Sequence, residues 1–229
     1  MTIWTGLAGA VLVAFVTLAY LRIAAATQRR TAARMAYFDD CAGLFTDLRR
    51  GRTDHGFARL NGRYAGQLFD LQVVPDMLTF RKLPSLWLMV TIPTPQPLGA
   101  TSDFMMRPTG SELFSRFGNL PVQLATPQGF PADLAIRTDD PDQVPQGAVL
   151  EAVQSAFFSA HVKEVLLSPR GLRIVWLAEE ADRSRYLIFR DAELGATRLA
   201  PEVVRPLLSH CLALSAALSA PPATTEAAA

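Results

Sequence analysis

The sequence predicts an α+β fold: one N-terminal transmembrane helix followed by a mostly antiparallel sheet with packed helices. Three features carry that expectation. Residues Ile3 to Ala26 are apolar or uncharged apart from Arg22, and about 20 such residues let a helix cross a bilayer core of roughly 30 Å. The middle of the chain is a series of short alternating or fully apolar runs cut by Pro and Gly, with links short enough to imply antiparallel pairing. Two amphipathic stretches, 148–160 and 201–219, supply helices to cover such a sheet.

In lipid, only a helix satisfies all its backbone groups within one isolated segment, so Ile3 to Ala26 is expected to be a retained anchor. A secretory leader would need a charged n-region before a shorter apolar core. Ala24-Ala25-Ala26 would pass as a cleavage site, but nothing before Ile3 is charged except the amino terminus. Arg22, Arg29, Arg30 and Arg34 follow the span and none precedes it. Basic residues collect on the cytoplasmic side, so the N-terminus is expected outside and the domain inside. The same four arginines are the expected membrane-surface contacts, drawn to anionic headgroups. Gly6, Ala10 and Ala14 recur at intervals of four, a spacing that lets two helices approach closely in lipid. They are candidates for helix–helix contact, although small residues are common in such spans. Trp4 and Tyr20 suit the two interfaces.

After the anchor, Thr27 to Arg52 reads as a helix, with Met35, Phe38, Leu44, Phe45 and Leu48 in an approximate stripe. Asn61-Gly62, a strong tight-turn dipeptide, is expected to join a short Phe57–Leu60 strand to Arg63–Val74. Met77 to Leu83 reads as a further strand. Leu86 to Ile92 is almost entirely apolar, the pattern of a strand covered on both faces. Asp103 to Arg107, Val122 to Ala125 and Leu134 to Thr138 are short strands, and Thr109 with Glu112 suggests a capping box for a short helix ending at Gly118. Val162 to Leu167 and Leu172 to Ala178 form a hairpin across Ser168–Gly171. Arg185 to Arg190 reads as a last strand. The final helix starts at Pro201, the favoured first helical position, and carries Pro206, which removes a backbone hydrogen bond.

These elements divide the chain into an anchor (1–26), a juxtamembrane helix and linker (27–56), an α+β domain (57–219) and a disordered tail (220–229). The part between anchor and tail is long enough for one domain with its own core. A formal net charge of +1, with acidic residues interspersed, argues against a nucleic-acid partner, because such domains show a strongly basic stripe. Cys41 and Cys211 are far apart and lack metal-type spacing. Each reads as a small buried hydrophobe.

No phosphate-binding Gly loop, dinucleotide fingerprint, zinc-protease helix or nucleophile elbow occurs. His55, His161 and His210 are never three or four residues apart, so no helix presents two imidazoles to a metal. Asp39-Asp40 and Asp139-Asp140 are the carboxylate pairs. Neighbours on a helix point about 100° apart, and Asp139 to Asp142 reads as a turn whose Asp caps free amides. No catalytic, cofactor-binding or metal-ligating residue is therefore assigned, no cofactor is expected, and an enzyme is the less favoured reading.

The order of features, with Gly62, Tyr64 and Gly66 entering a strand, then Phe130 and Asp139 to Asp142 before a helix and the Ser168–Gly171 hairpin, resembles that of bacterial membrane-anchored domains of unknown function. The resemblance implies a fold and no activity. The functional expectation is a single-pass accessory or scaffold protein of a bacterial inner (cell) membrane, with a cytoplasmic domain. Its partners would be the lipid bilayer and a membrane protein or a second copy of the chain. The alternative is a membrane-tethered enzyme or small-ligand-binding domain whose site is scattered in sequence.

Overall fold

The computed structural model describes residues 2–77 and 83–220. The apolar N-terminal run lies within one unbroken helix, α1, Thr2–Met35. Nothing interrupts it at Ala26, because the following residues to Met35 include no Gly or Pro. Its apolar residues have no protein cover: Leu12, Val13, Phe15 and Ile23 are all exposed. Among the described residues, this is the one helix long and apolar enough to cross a membrane, with a mean hydropathy of 2.1 over its best window and none of that window buried.

The domain is α+β. Among the described residues, nine strands form one sheet in which every pairing is antiparallel: β1 (Thr46–Arg52), β2 (Ala58–Tyr64), β3 (Gln67–Asp76), β4 (Ser85–Ile92), β5 (Ser102–Met106), β6 (Val122–Leu124), β7 (Leu134–Thr138), β8 (Val162–Ser168) and β9 (Gly171–Glu180). Their spatial order is β1-β2-β3-β4-β9-β8-β5-β7-β6. One face is covered by α2 (Ala148–Ala156), α4 (Pro201–Ser219) and a 3-10 segment, Asp39–Leu44. The opposite face carries a smaller cluster, in which Phe114 and Phe117 from the segment after β5 pack on Met89, Met105 and Val175.

β4 takes the central place its sequence predicts. It pairs with β3 and β9, and Leu86, Leu88, Val90 and Ile92 are fully buried towards the helices. On the other face Met89 is buried and Trp87 packs against Phe114. The β8–β9 hairpin turns at Ser168–Gly171 as predicted. α4 runs through Pro206 without a break. Its apolar stripe packs into the core, and the buried Cys211 thiol donates to the Val90 carbonyl.

Four expectations need correction. The helix read over 27–52 stops at Met35, and 46–52 is instead the edge strand β1, so a boundary at residue 57 would cut β1 from its sheet. TDLRRGR has one exposed face and one weakly covered face, so it lacks the apolar alternation that marks a strand. Asn61-Gly62 lies inside β2. The hairpin turns at Ala65 and Gly66, both at positive φ (49° and 83°), as a type I′ turn requires. Gly62 serves a close approach instead: a Cβ there would lie 2.8 Å from Phe45 Cβ and 3.2 Å from the Thr46 carbonyl oxygen. The strand expected at 185–190 is a short helix, α3 (Arg183–Phe189), capped by Asp182, whose carboxylate accepts from the Arg185 amide at 2.7 Å. Residues 109–118 form no α-helix, yet one of the two capping-box contacts is made: Glu112 Oε1 accepts from the Thr109 amide at 2.6 Å, and it also accepts from the Thr109 hydroxyl at 2.9 Å. The strand expected at 77–83 falls mainly on 78–82, outside the described residues, and so does the tail beyond 220.

Replacing Leu88, fully buried in the central strand, with Ala should lower the unfolding free energy by roughly 2–5 kcal/mol. Urea denaturation of the two proteins measures this, and an unchanged midpoint would contradict the central position of β4.

Candidate functional site

Two regions gather charge. The first is where α1 meets the domain. The loop 191–196 runs alongside the last turns of α1 and encloses a groove of about 660 Å³, with Arg22, Arg29, Arg30 and Arg34 on the helix side. Asp191 accepts from Arg30 at 2.5 Å and lies 3.7 Å from Arg185. Arg185 also pairs with Glu193 at 2.6 Å. Arg34 places its guanidinium 5.0 Å from the centre of the Phe57 ring, a cation–π distance. Phe57 in turn lies against Gly195, where φ is +76° and a Cβ would meet the ring at 2.3 Å. Two of the four arginines assigned to the membrane surface are thus also engaged by the domain. Ala10 and Ala14 are exposed on α1, and Gly6 lies on the same helix.

The titratable residues singled out in the sequence do not meet. Asp39 pairs with Arg50 and Asp40 with Arg198. Asp139 accepts from the Thr101 amide at 2.7 Å, and Asp140 caps the 3-10 turn that follows it. His161 stands edge-on to Trp176, with ring centres 5.2 Å apart. His210 stacks on Phe158 at 4.6 Å, and its partial burial holds its pKa below the ordinary imidazole value. Both cysteines are buried, and burial pushes the Cys41 thiol up to about 12, with Asp40 adding to the effect. Neither thiol forms a nucleophile of the usual kind, which needs a depressed pKa. Among the described residues, no three His, Cys, Asp or Glu side chains group as metal ligands.

The second region was not anticipated. Asp103 on β5 and Glu164 on β8 are both essentially inaccessible, at 1% and 0% exposure. Met105 is the register partner of Glu164 and Leu166 that of Asp103, so both carboxyls leave the sheet on the same face and sit diagonal to one another. They lie within hydrogen-bonding reach. Arg173 on β9, opposite Leu166, donates from Nε at 3.1 Å and from Nη2 at 2.8 Å to the same oxygen, Glu164 Oε2. Ser115 reaches Asp103 Oδ2 at 3.4 Å. Asp103 Oδ1 and Glu164 Oε1 accept no hydrogen bond from a neutral or cationic donor among the described residues.

The electrostatics follow from this geometry. Burial raises the Asp103 pKa well above the carboxylate range, the Glu164 charge raises it further, and Arg173 offsets only part of the effect. Two carboxyls in contact cannot both ionise cheaply. A neutral Asp103 relieves that repulsion, and the Arg173 guanidinium balances the charge of Glu164. The segment that covers the pair is itself pinned. Lys163 donates to the carbonyls of Met106 and Arg107 at 2.6 and 2.7 Å and lies 3.4 Å from Glu112. Burial alone would raise the Glu112 pKa. The Thr109 hydrogen bonds and the Lys163 charge outweigh it, and the carboxyl ends below its ordinary value.

Beside Asp103 lies a cavity of about 600 Å³, walled by Phe114, Leu120, Leu166 and Pro169, with Arg116, Arg170 and Arg173 among its lining. Arg116 and Arg170 are exposed and make no ion pair among the described residues. No protein-family model matches the sequence, and no curated protein matches it. Among solved structures, the crystal structure of the mycobacterial trehalose monomycolate transport factor A, TtfA, is similar at a TM-score of 0.41 and 7% identity, covering 82% of this chain and 94% of that one.

No short motif marks this site. Asp103 and Glu164 are separated by β6, β7 and α2, and only the β5–β8 pairing joins them. The signal that was present is one of placement: a carboxylate within each of two largely apolar strands, DFMM and VKEVLL, the second of which also holds Lys163. Buried charges of that kind are retained only when paired or protonated.

The raised Asp103 pKa has a stability consequence. The folded protein holds a proton that the unfolded chain releases near the ordinary Asp value of about 3.9. Stability should therefore fall as pH rises from that region towards the raised pKa, then level off. Asp103→Asn keeps the shape and removes the ionisation. Thermal melts between pH 5 and pH 9 should show the wild type losing stability more steeply than the variant. Parallel curves would rule out a protonated Asp103.

Proposed function

We propose that this chain is a single-pass accessory or scaffold protein of a bacterial inner membrane, with its N-terminus outside and its α+β domain in the cytoplasm. The observation that carries this reading is α1: a span with a mean hydropathy of 2.1, wholly uncovered by protein, leading directly into a domain with a separate core. An exposed apolar helix of that length needs lipid around it. The one-sided arginines supply the orientation. The bilayer is the first partner, and Gly6, Ala10 and Ala14 offer a surface for a membrane protein or a second copy.

The junction supports a domain held close against the membrane. Arg22 and Arg29 share a groove with the 192–196 loop, so that loop reaches the level at which the apolar span ends. Neighbouring α3 exposes Leu187 and Ile188, at 58% and 72%, beside Arg183, Arg185 and Arg190. Apolar residues flanked by basic ones suit the interfacial zone of an anionic leaflet.

A second reading, a membrane-tethered ligand-binding domain or enzyme with a site scattered in sequence, is favoured by the Asp103–Glu164–Arg173 cluster and its cavity. Those groups converge as a functional site requires, although they lack a nucleophile.

Orientation is tested with C-terminal fusions in bacteria. A green fluorescent protein fusion should fluoresce, an alkaline phosphatase fusion should be inactive, and the mature chain should retain its first residues. An active phosphatase fusion, or a chain that begins near Thr27, would overturn the proposal.

A further inference from the structure

We propose that the cavity beside Asp103 binds a small soluble organic anion, one that carries a phosphate or carboxylate group and a short apolar portion. Each part of that description comes from the walls. Arg116 and Arg170 are exposed arginines at the cavity with no ion-pair partner among the described residues, and Arg173 is spent only on one oxygen of Glu164. The lining of the cavity holds three guanidiniums and one carboxyl, and the surplus is positive. Planar guanidinium groups recognise phosphate and carboxylate by paired hydrogen bonds. Phe114, Leu120, Leu166 and Pro169 form an apolar wall beside them.

Asp103 lines the cavity but is 1% exposed, and its buried Oδ1 is closed to a ligand, so it acts on the cavity through its charge. At about 600 Å³ the space falls within the range of small-molecule sites.

The position of the cavity separates a soluble ligand from a headgroup of the membrane in which α1 would sit. The cavity opens by the β8–β9 turn, at Ser168, Pro169 and Arg170. The groove beside α1 lies at the other end of β9, where the Gly195 amide donates to Glu179 at 2.8 Å. β9 has 10 residues, and at about 3.3 Å per residue its ends are some 30 Å apart. This inference does not depend on the scaffold reading, since the cavity belongs to the sheet and not to the anchor.

Full-length protein in phosphatidylcholine nanodiscs is titrated calorimetrically with inorganic phosphate, glycerol 3-phosphate and citrate. Glycerol 3-phosphate should bind saturably and more tightly than inorganic phosphate, because its carbon chain can lie on the apolar wall. The Arg116→Gln/Arg170→Gln double variant should weaken it at least tenfold. Arg49→Gln/Arg52→Gln, which removes the same charge from exposed β1, should not. The groups around Asp103 are Glu164 from β8, Arg173 from β9, its register partner Arg137 on β7 and Ser115 from the covering segment, and Arg116 and Arg170 share its cavity. Loss of the Asp103 proton adds negative charge beside the anion, so wild-type affinity should fall with rising pH more than that of Asp103→Asn. Absence of saturable binding by all three probes overturns the proposal. So does equal weakening in both arginine doubles, which would mean attraction by net charge alone. Binding seen only when the nanodiscs contain phosphatidylglycerol would also overturn it, and would assign the cavity to a lipid headgroup.

Discussion

The structure depends on a strand that has no polar face. β4 reads SLWLMVTI, and a sheet strand exposes its residues alternately to two sides. Leu86, Leu88, Val90 and Ile92 demand a cover on one side, and Trp87 and Met89 demand one on the other. The first demand is met by α2, α4 and the 3-10 segment after α1, so the N- and C-terminal parts of the domain are drawn to the same face. The second is met by the segment that follows β5, which lays Phe114 and Phe117 over the sheet. The buried Asp103 and Glu164 lie under that same segment, and this is why a predominantly apolar sheet can hold two carboxyls away from water.

Elements with a buried face were legible in the sequence, and elements without one were not. β4, β8, β9, α2 and α4 each bury a stripe, and each was found within a few residues. β1 and α3 failed together and for one reason. β1 is a sheet edge with almost every residue exposed, and α3 turns Leu187 and Ile188 outwards. In both, the pattern of apolar residues does not report what the backbone does. The β2–β3 hairpin failed differently. Asn-Gly is the favoured two-residue turn, but Gly62 is required where Phe45 and the Thr46 carbonyl crowd the strand, and the turn fell to Ala65-Gly66. A glycine needed for space and a glycine needed for positive φ look alike in a sequence.

The same limit applies to the site. Local carboxylate pairs such as Asp39-Asp40 and Asp139-Asp140 catch the eye because they are adjacent, and adjacency is what caps and turns use. The pair that changes the electrostatics is assembled by strand pairing, with Arg173 placed by a third strand. What the sequence did carry was the anomaly of an acid within each of two largely apolar strands. An ionised group left unpaired in such a place is too costly to keep, so the anomaly itself implied a partner, though not which one.

Arginine does several unlike jobs in this chain, and its partners distinguish them. Arg30 and Arg34 are committed to the domain, one to Asp191 and one to the Phe57 ring, so they fix the last turns of α1 against the 191–196 loop as well as lying where a membrane surface would be. Arg173 is committed to Glu164 and keeps a buried charge tolerable. Arg116 and Arg170 have no such commitment among the described residues. β9 connects these roles physically. Glu179, near one end, receives the amide of the loop that rests on α1, and Arg173, near the other, balances the buried acid pair. The strand is paired with β4 along its length and with β8 over residues 171–176. The loop that rests on α1 and the cavity therefore touch opposite ends of one strand, and its rise sets the distance between them.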